Sequence, residues 1–153
     1  MGYSGQHRVK GTKRHLVGDG NGMPLALPLM AAQVHDSRAA FSTLKRLRVG
    51  RKRRPRGLAA DKGYDSRPLR QALRRRGIRA SIPERRYRRR RKRGRPPKQH
   101  TDLDARRWVV ERTFAWLNNA FRRLRVRYER LDSVYRALCV LGCVILCLIR
   151  VFR

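Results

Sequence analysis

Apolar and polar positions divide the chain into short elements. Lys13 to Val17 and Met23 to Met30 are two apolar-rich runs, separated by Gly18, Asp19, Gly20, Asn21 and Gly22. That intervening run is turn chemistry and predicts an antiparallel β-hairpin. Asp36 and Ser37 offer an N-cap, and Ala40, Phe41, Leu44 and Leu47 recur at helical spacing up to a basic loop at Gly50 to Arg56. A short amphipathic helix follows from this. The brief apolar run Gly57 to Ala60 ends at Asp61. After a turn at Gly63, a cap at Asp65 and Ser66 and Pro68 in the first turn open a second helix, buried along Leu69 and Leu73. Gly77 stops that helix and Ile78 to Ile82 reads as a strand. The segment therefore predicts a strand, helix, strand unit with parallel strands and a right-handed crossover.

From about 84 to 100 the pattern disappears. Arg85 to Lys98 is almost entirely basic, carries Gly94, Pro96 and Pro97, and has no apolar period, which predicts a solvated flexible arm. Thr101 or Asp102 then caps a helix running through Trp108 and Phe114 towards Leu117. A second basic helix extends to about Arg130, and Val134 to Ile149 closes the chain. The longest apolar stretch, Ala137 to Ile149, is about thirteen residues where a membrane helix needs roughly twenty, so it predicts a core helix and no membrane partner. Cys139, Cys143 and Cys147 fall at steps of four on one face of it and read as structural thiols. The element order predicts one α/β domain over residues 1–153, with a mixed sheet, flanking helices and C-terminal helices.

Charge changes this picture most. With 41 Lys and Arg against 10 Asp and Glu, the formal net charge is +31 on 153 residues, which would make a compact isolated domain repel itself. Phosphates neutralise such charge and release condensed counterions on binding, so a nucleic acid outranks a small acidic metabolite as partner. The 41% apolar content is enough for a core and excludes a purely disordered basic tail. Near the N-terminus no charged segment precedes an apolar run and a cleavage site, so the expected location is the cytoplasm.

Few acids are present, and most have an ordinary role: Asp19 in a turn, Asp36 and Asp65 at caps, Asp102 and Asp104 in a first turn where the helix dipole favours them. Asp61 differs because it stands at the C-terminal end of a strand expected to be central, where α/β sheets bind ligands, and Lys62 beside it suits a phosphate. Glu111 falls on a helical line with Trp108, Ala115 and Asn118, expected to face inward, where a carboxylate needs a metal or a cation. The plainer alternative is an exposed ion pair with Arg107. Carboxylates gathered at a strand end and a helix can hold two divalent ions about 3.5 to 4 Å apart, one activating an attacking oxygen and one steadying a leaving oxygen. The arm's Gly94-Arg95-Pro96 centre, with Arg93 beside it, reads either as a minor-groove hook or as a nonspecific phosphate-binding loop. His35 beside Asp36 reads as a local capping pair.

Two stretches, A-D-K-G-Y-D-S at Ala60 to Ser66 and R-W-V-V-E-R-T-F-A-W-L-N-N at Arg107 to Asn119, resemble bacterial insertion-sequence transposases with an Asp, Asp, Glu triad, specifically the insertion-sequence-five group. K-G-T-K-R-H-L-V at Lys10 to Val17, H-D-S at His35 to Ser37 and F-R-R-L-R-V-R-Y-E-R at Phe121 to Arg130 extend the likeness to nearly the whole chain. The resemblance implies a ribonuclease-H-like fold, Asp61 as the second acid, Glu111 as the third, two Mg²⁺ or Mn²⁺ ions, and nicking and strand transfer of transposon ends. It also implies double-stranded DNA as partner, held by Lys62, Arg107, Arg112, Asn118, Arg122 and Arg123 together with Arg93 and Arg95, and a homodimer on that DNA.

The family's Tyr, Arg, Glu, Lys signature is kept at Arg107 and Glu111, while Asp104 holds the Tyr position and Asn118 the Lys position. The first acid of such domains comes from a strand before the hairpin, and Met1 to Val9 contain no Asp or Glu. The expectation is therefore a missing first strand, with the first Asp supplied by an upstream segment through frameshifting or lost in a truncated remnant. A catalytically inactive DNA-binding fragment is the rival reading. A basic ribosome-like RNA binder fits the charge but not the motifs.

Overall fold

The computed structural model describes residues 2–4, 8–47, 55–84 and 101–152. Strand β1 (Gly2–Ser4) pairs antiparallel with β2 (Val9–Arg14), which pairs antiparallel with β5 (Leu29–Ala31). Between β2 and β5 the hairpin continues as β3 (Val17–Gly18) against β4 (Pro24–Ala26). The expected hairpin is thus present, but each of its arms is broken in two. Pro28 has no N–H to offer a ladder, and only His15 N to Pro28 O (3.0 Å) bridges the gap. Asp19 closes the tip, its Oδ1 accepting from Asn21 N (2.9 Å) and Met23 N (2.8 Å). A short strand does precede the hairpin, but Gly2, Tyr3 and Ser4 give it no carboxylate, so it is not the acid-bearing strand of the expectation.

Helix α1 (Asp36–Arg46) starts one residue earlier than its pattern suggests, because His35 is the cap and its side chain accepts from Ser37 N. The strand, helix, strand unit is present as β6 (Gly57–Ala59), α2 (Arg67–Arg75) and β7 (Arg79–Ser81), and its strands are parallel. Ser66 caps α2, and Gly77, at φ +67°, ends it in the left-handed conformation that glycine adopts without steric cost. Instead of one mixed sheet, the described strands form three small ones, β1-β2-β5, β3-β4 and β6-β7, so β6 is not central.

The single helix expected from Thr101 to Leu117 is divided into α3 (Thr101–Asp104) and α4 (Trp108–Ala120), and the second basic helix shrinks to α5 (Arg122–Arg125). Helix α6 (Asp132–Val151) is longer than the apolar run that predicts it and only half a core helix. Tyr135, Cys139, Gly142 and Leu146 are buried, and much of the opposite face is exposed. Burial pushes the Cys139 and Cys143 thiols up, as suits inert packing groups.

Two apolar clusters result. One joins α4, α5 and α6 through Leu117, Leu124, Tyr135, Cys139 and Leu146, with Leu27 and Leu29 of the hairpin packed against it. The other joins α2 and β7 through Leu69, Leu73, Ile78 and Ile82, with Phe41 and Leu44 of α1 and Tyr64 against them. The hairpin tip is docked on α4: Thr113 Oγ1 donates to Gly22 O (2.9 Å) and Arg112 Nη2 to Asn21 O (3.1 Å).

Gly22 sits at φ +90°, and a Cβ there would lie 2.9 Å from Thr113 Oγ1 and 3.0 Å from Val109 Cγ1. Gly22→Ala is expected to cost about 1–3 kcal/mol of stability from backbone strain and displaced packing. Gly11→Ala, which meets nothing within 4 Å, is expected to be neutral or slightly stabilising. Urea unfolding of the two variants checks the contrast, and equal stabilities would refute the docking argument.

Candidate functional site

Asp61 follows β6 by two residues and caps the 3-10 turn Lys62–Tyr64, its Oδ1 accepting from Lys62 N (2.7 Å). Both Asp61 and Lys62 are exposed. The next residues fasten this turn from beneath. Tyr64 shares a 2.7 Å hydrogen bond with His15 Nδ1, and the two rings meet edge to face with centroids 6.0 Å apart. Asp36 lies so close to Gly63 that a Cβ there would be 2.9 Å from its carboxylate, and Lys13 Nζ holds that carboxylate at 3.0 Å while also donating to Val34 O (3.2 Å). Hairpin, α1 and the Asp61 turn thus meet in one polar knot.

Burial sets the chemistry of the knot. It lowers the pKa of His15 more than the nearby Asp36 carboxylate raises it, so the buried imidazole is neutral. Burial also pushes the Tyr64 phenol up to about 12, with the Asp36 and Asp61 carboxylates adding to the effect. Lys13, His15 and Tyr64 are not among the site residues expected from the sequence. Tyr64 lies inside the A-D-K-G-Y-D-S stretch, which is the signal that points to it, and His15 is a buried position between β2 and β3.

Glu111 is placed differently from expectation. The buried line of α4 is Val109, Thr113 and Leu117, while Trp108, Glu111 and Ala115 are exposed, so Glu111 points outward. The helix turns this way because Thr113, whose hydroxyl bonds Gly22 O and Val109 O, and the aliphatic pair fit the hairpin and α6 better than the larger Trp108. No ion pair forms between Glu111 and Arg107. Instead Arg107 lies 3.8 Å from Asp104. No hydrogen bond or ion pair links Asp61 to Glu111 among the described residues, and no group of three or more His, Cys, Asp or Glu there is arranged to hold a metal ion. The described side chains alone do not fit a two-ion site.

The expected DNA contacts separate into three kinds. Lys62, Arg122 and Arg123 are exposed. Arg112 and Asn118 are engaged inside the protein: Arg112 stacks on Trp108 at 4.4 Å and Trp116 at 4.8 Å, and Asn118 Oδ1 accepts from Arg14 Nη2 (2.8 Å). Arg150 completes the stack, 4.4 Å from Trp116, and donates to Asn21 O (2.6 Å). A cation held between indoles is bound by the ring quadrupoles, so Arg112, and Asn118 through its Oδ1, have contacts within the protein beside the expected DNA role. Arg107 is half-buried beside Asp104, and Arg93 and Arg95 lie outside the described residues.

The carboxylate at a strand end, the A-D-K-G-Y-D-S turn and the arginine-rich helices find their counterpart in one family. Residues 1–148 match the Transposase DDE domain, and the chain belongs to that family. It is 42% identical over 143 residues to a Burkholderia cepacia protein assigned as the transposase for insertion sequence element IS402, a stretch covering 90% of this chain and 63% of that protein. No solved structure matches the chain.

The pKa directions give a pH dependence. His15 titrates lower in the fold than in the unfolded chain, so the unfolded state takes up a proton first and stability is lost as pH falls below about 6.5. Tyr64 keeps its proton to about 12 when folded but loses it from 10.0 upward when unfolded, so stability is also lost as pH rises through that window. Tyr64→Phe is expected to reduce the alkaline loss, the remainder coming from the raised Tyr135, Cys139 and Cys143, and to cost about 1–3 kcal/mol near neutrality by leaving His15 Nδ1 without its partner. Urea unfolding at acidic, neutral and alkaline pH measures both, and an alkaline limb unchanged in Tyr64→Phe would contradict the assignment.

Proposed function

We propose that this chain is the larger part of a DNA-transposing enzyme of the insertion-sequence-five group, with a ribonuclease-H-like catalytic domain that nicks and joins strands at transposon ends. Asp61 and Glu111 are its second and third acids in this reading. The carrying observation is Asp61, exposed at the carboxyl end of a parallel strand pair on a turn fixed by Tyr64, His15 and Asp36, in a family member of charge +31. Such charge supports double-stranded DNA as the partner, with Lys62, Arg122 and Arg123 as phosphate contacts.

In this reading the first carboxylate comes from polypeptide outside these 153 residues. The chain spans less than two thirds of its relative, and no acid precedes Asp19. Mg²⁺ or Mn²⁺ is the expected activating ion of the completed site, and no chemical step is assigned to it from the present side-chain arrangement. A second reading, a DNA-binding fragment without catalytic activity, is favoured by one observation: Glu111 points to solvent and is not joined to Asp61.

The test is Mg²⁺-dependent nicking of a transposon end by this chain joined to the remaining part of the relative. Activity is expected, and Asp61→Ala and Glu111→Ala are each expected to reduce it to background with DNA affinity kept. Equal, absent activity in all of these proteins would leave the second reading.

DNA binding is measured separately by its salt dependence. Arg122→Ala with Arg123→Ala is expected to lower the slope of log affinity against log salt by about 2, at about 0.9 per lost phosphate contact, with unfolding unchanged. Arg112→Ala is expected to lower stability, by about 0.5–2 kcal/mol for each stacked ring, more than it lowers the slope. The reverse ordering would return Arg112 to the DNA surface.

A further inference from the structure

Between α5 and α6 the chain presents an aromatic ring to solvent in the middle of an arginine run. Tyr128 leaves 71% of its surface open, with Leu131 at 64% and Val126 at 52% beside it. Single exposed apolar residues are ordinary, but three within six residues form a patch. The segment has no helix or strand of its own, yet Arg127, whose side chain is only 9% exposed, braces it from within. Arg127 Nε donates to Glu129 O (2.9 Å) and Nη2 to Arg130 O (3.1 Å). Nη1 donates to Thr12 Oγ1 of β2 and pairs with Asp132 Oδ1 (2.6 Å) at the start of α6. The same guanidinium lies 5.3 Å from the centre of the Tyr135 ring. One buried cation therefore fixes the backbone around Tyr128 to the hairpin and to α6.

The Tyr128 ring itself makes no hydrogen bond or ring contact among the described residues. Arg122, Arg123, Arg125 and Arg130 flank it in sequence. All four are exposed, and none forms a side-chain hydrogen bond or ion pair among the described residues. Glu129 is the one acid from Phe121 to Leu131.

From this arrangement we infer that Tyr128 is a stacking platform for an unpaired base of a DNA strand whose phosphates lie on the neighbouring arginines. The inference rests on the reading of Arg122 and Arg123 as phosphate contacts, and adds what kind of strand they hold. Charge selects a polyanion, but charge alone is satisfied by any duplex. An exposed ring offers a π-face as well. Inside an intact duplex each base face is covered by its neighbours, so an unpaired or terminal base is the one that can use it. A loop already ordered by Arg127 loses little freedom when a base covers the ring. Reach agrees: Arg125 to Tyr128 is at most about 10 Å of chain, about three nucleotides of backbone at about 3.4 Å each. A protein surface is the weaker occupant, because covering the patch would also desolvate four arginines that phosphates would neutralise.

Fluorescence anisotropy with the full chain tests this, using a blunt DNA duplex, the same duplex ending in three unpaired thymidines, and the same duplex ending in three abasic sites. The two overhangs carry equal charge and differ only in their bases. The wild type is expected to bind the thymidine overhang about five- to a hundredfold more tightly than the abasic one, the range for one stacked base. Tyr128→Leu keeps an apolar side chain without the π-face. It is expected to lose that margin, with blunt-duplex affinity and the salt slope unchanged, whereas Tyr128→Phe is expected to keep the margin within about twofold. Equal wild-type affinity for the two overhangs overturns the inference without need of any variant, as does a margin that survives in Tyr128→Leu. Duplex binding with no thymidine margin removes the stacking role and leaves Arg122 and Arg123 as phosphate contacts, whereas no binding to any probe removes both. Self-association altered by Tyr128→Leu, with every probe unaffected, assigns the patch to a protein partner and also overturns the inference.

Discussion

Two backbone carbonyls at the hairpin tip, those of Asn21 and Gly22, hold the first and last parts of the chain together. Thr113 donates to one, and Arg112 and Arg150 converge on the other from residues 91 and 129 positions away. The Gly22 carbonyl is buried, and leaving it without a partner would cost its desolvation, whereas the Asn21 carbonyl is exposed and its two arginines tie the tip down from outside. This docking demands a glycine at position 22, fixes which side of α4 faces inward, and decides that Glu111 faces out. The surplus of arginine in this chain is thus partly internal material. Some of it sits over indole rings and closes the tertiary structure.

Local patterns were legible where a single element carries its own signal. The turn at Asp19 to Gly22, the helix over Leu69 and Leu73, its stop at Gly77 and the parallel pair of β6 and β7 all follow from turn chemistry, caps and short apolar runs. What failed was the ranking of helix faces. A line through Trp108, Glu111 and Ala115 has the largest side chain and so reads as buried, yet Trp108 can satisfy itself outside by stacking on Arg112, which frees the smaller Val109, Thr113 and Leu117 to fit the hairpin. Periodicity counts apolar residues but is blind to a cation that gives an aromatic ring a partner at the surface. Sheet connectivity failed for a related reason, since strands of three residues do not reveal which neighbour they pair with.

The same limits apply to the candidate site. Asp61 is found where the strand end predicts it, and the motif around it also contains Tyr64, which ties the turn to His15 across 49 residues of sequence. Glu111 is legible only through the family, because nothing local separates it from an ordinary surface glutamate. Membership of the Transposase DDE domain family is what gives both carboxylates the common reading proposed for them.

The arginine stack has one more consequence. The chain contains two tryptophans, and both belong to it: Trp108 lies against Arg112, and Trp116 between Arg112 and Arg150. Intrinsic fluorescence from this protein is therefore not an average over the fold. It is an optical gauge of one joint, reporting whether the hairpin tip is seated on α4 and silent about the β6-α2-β7 unit that carries Asp61.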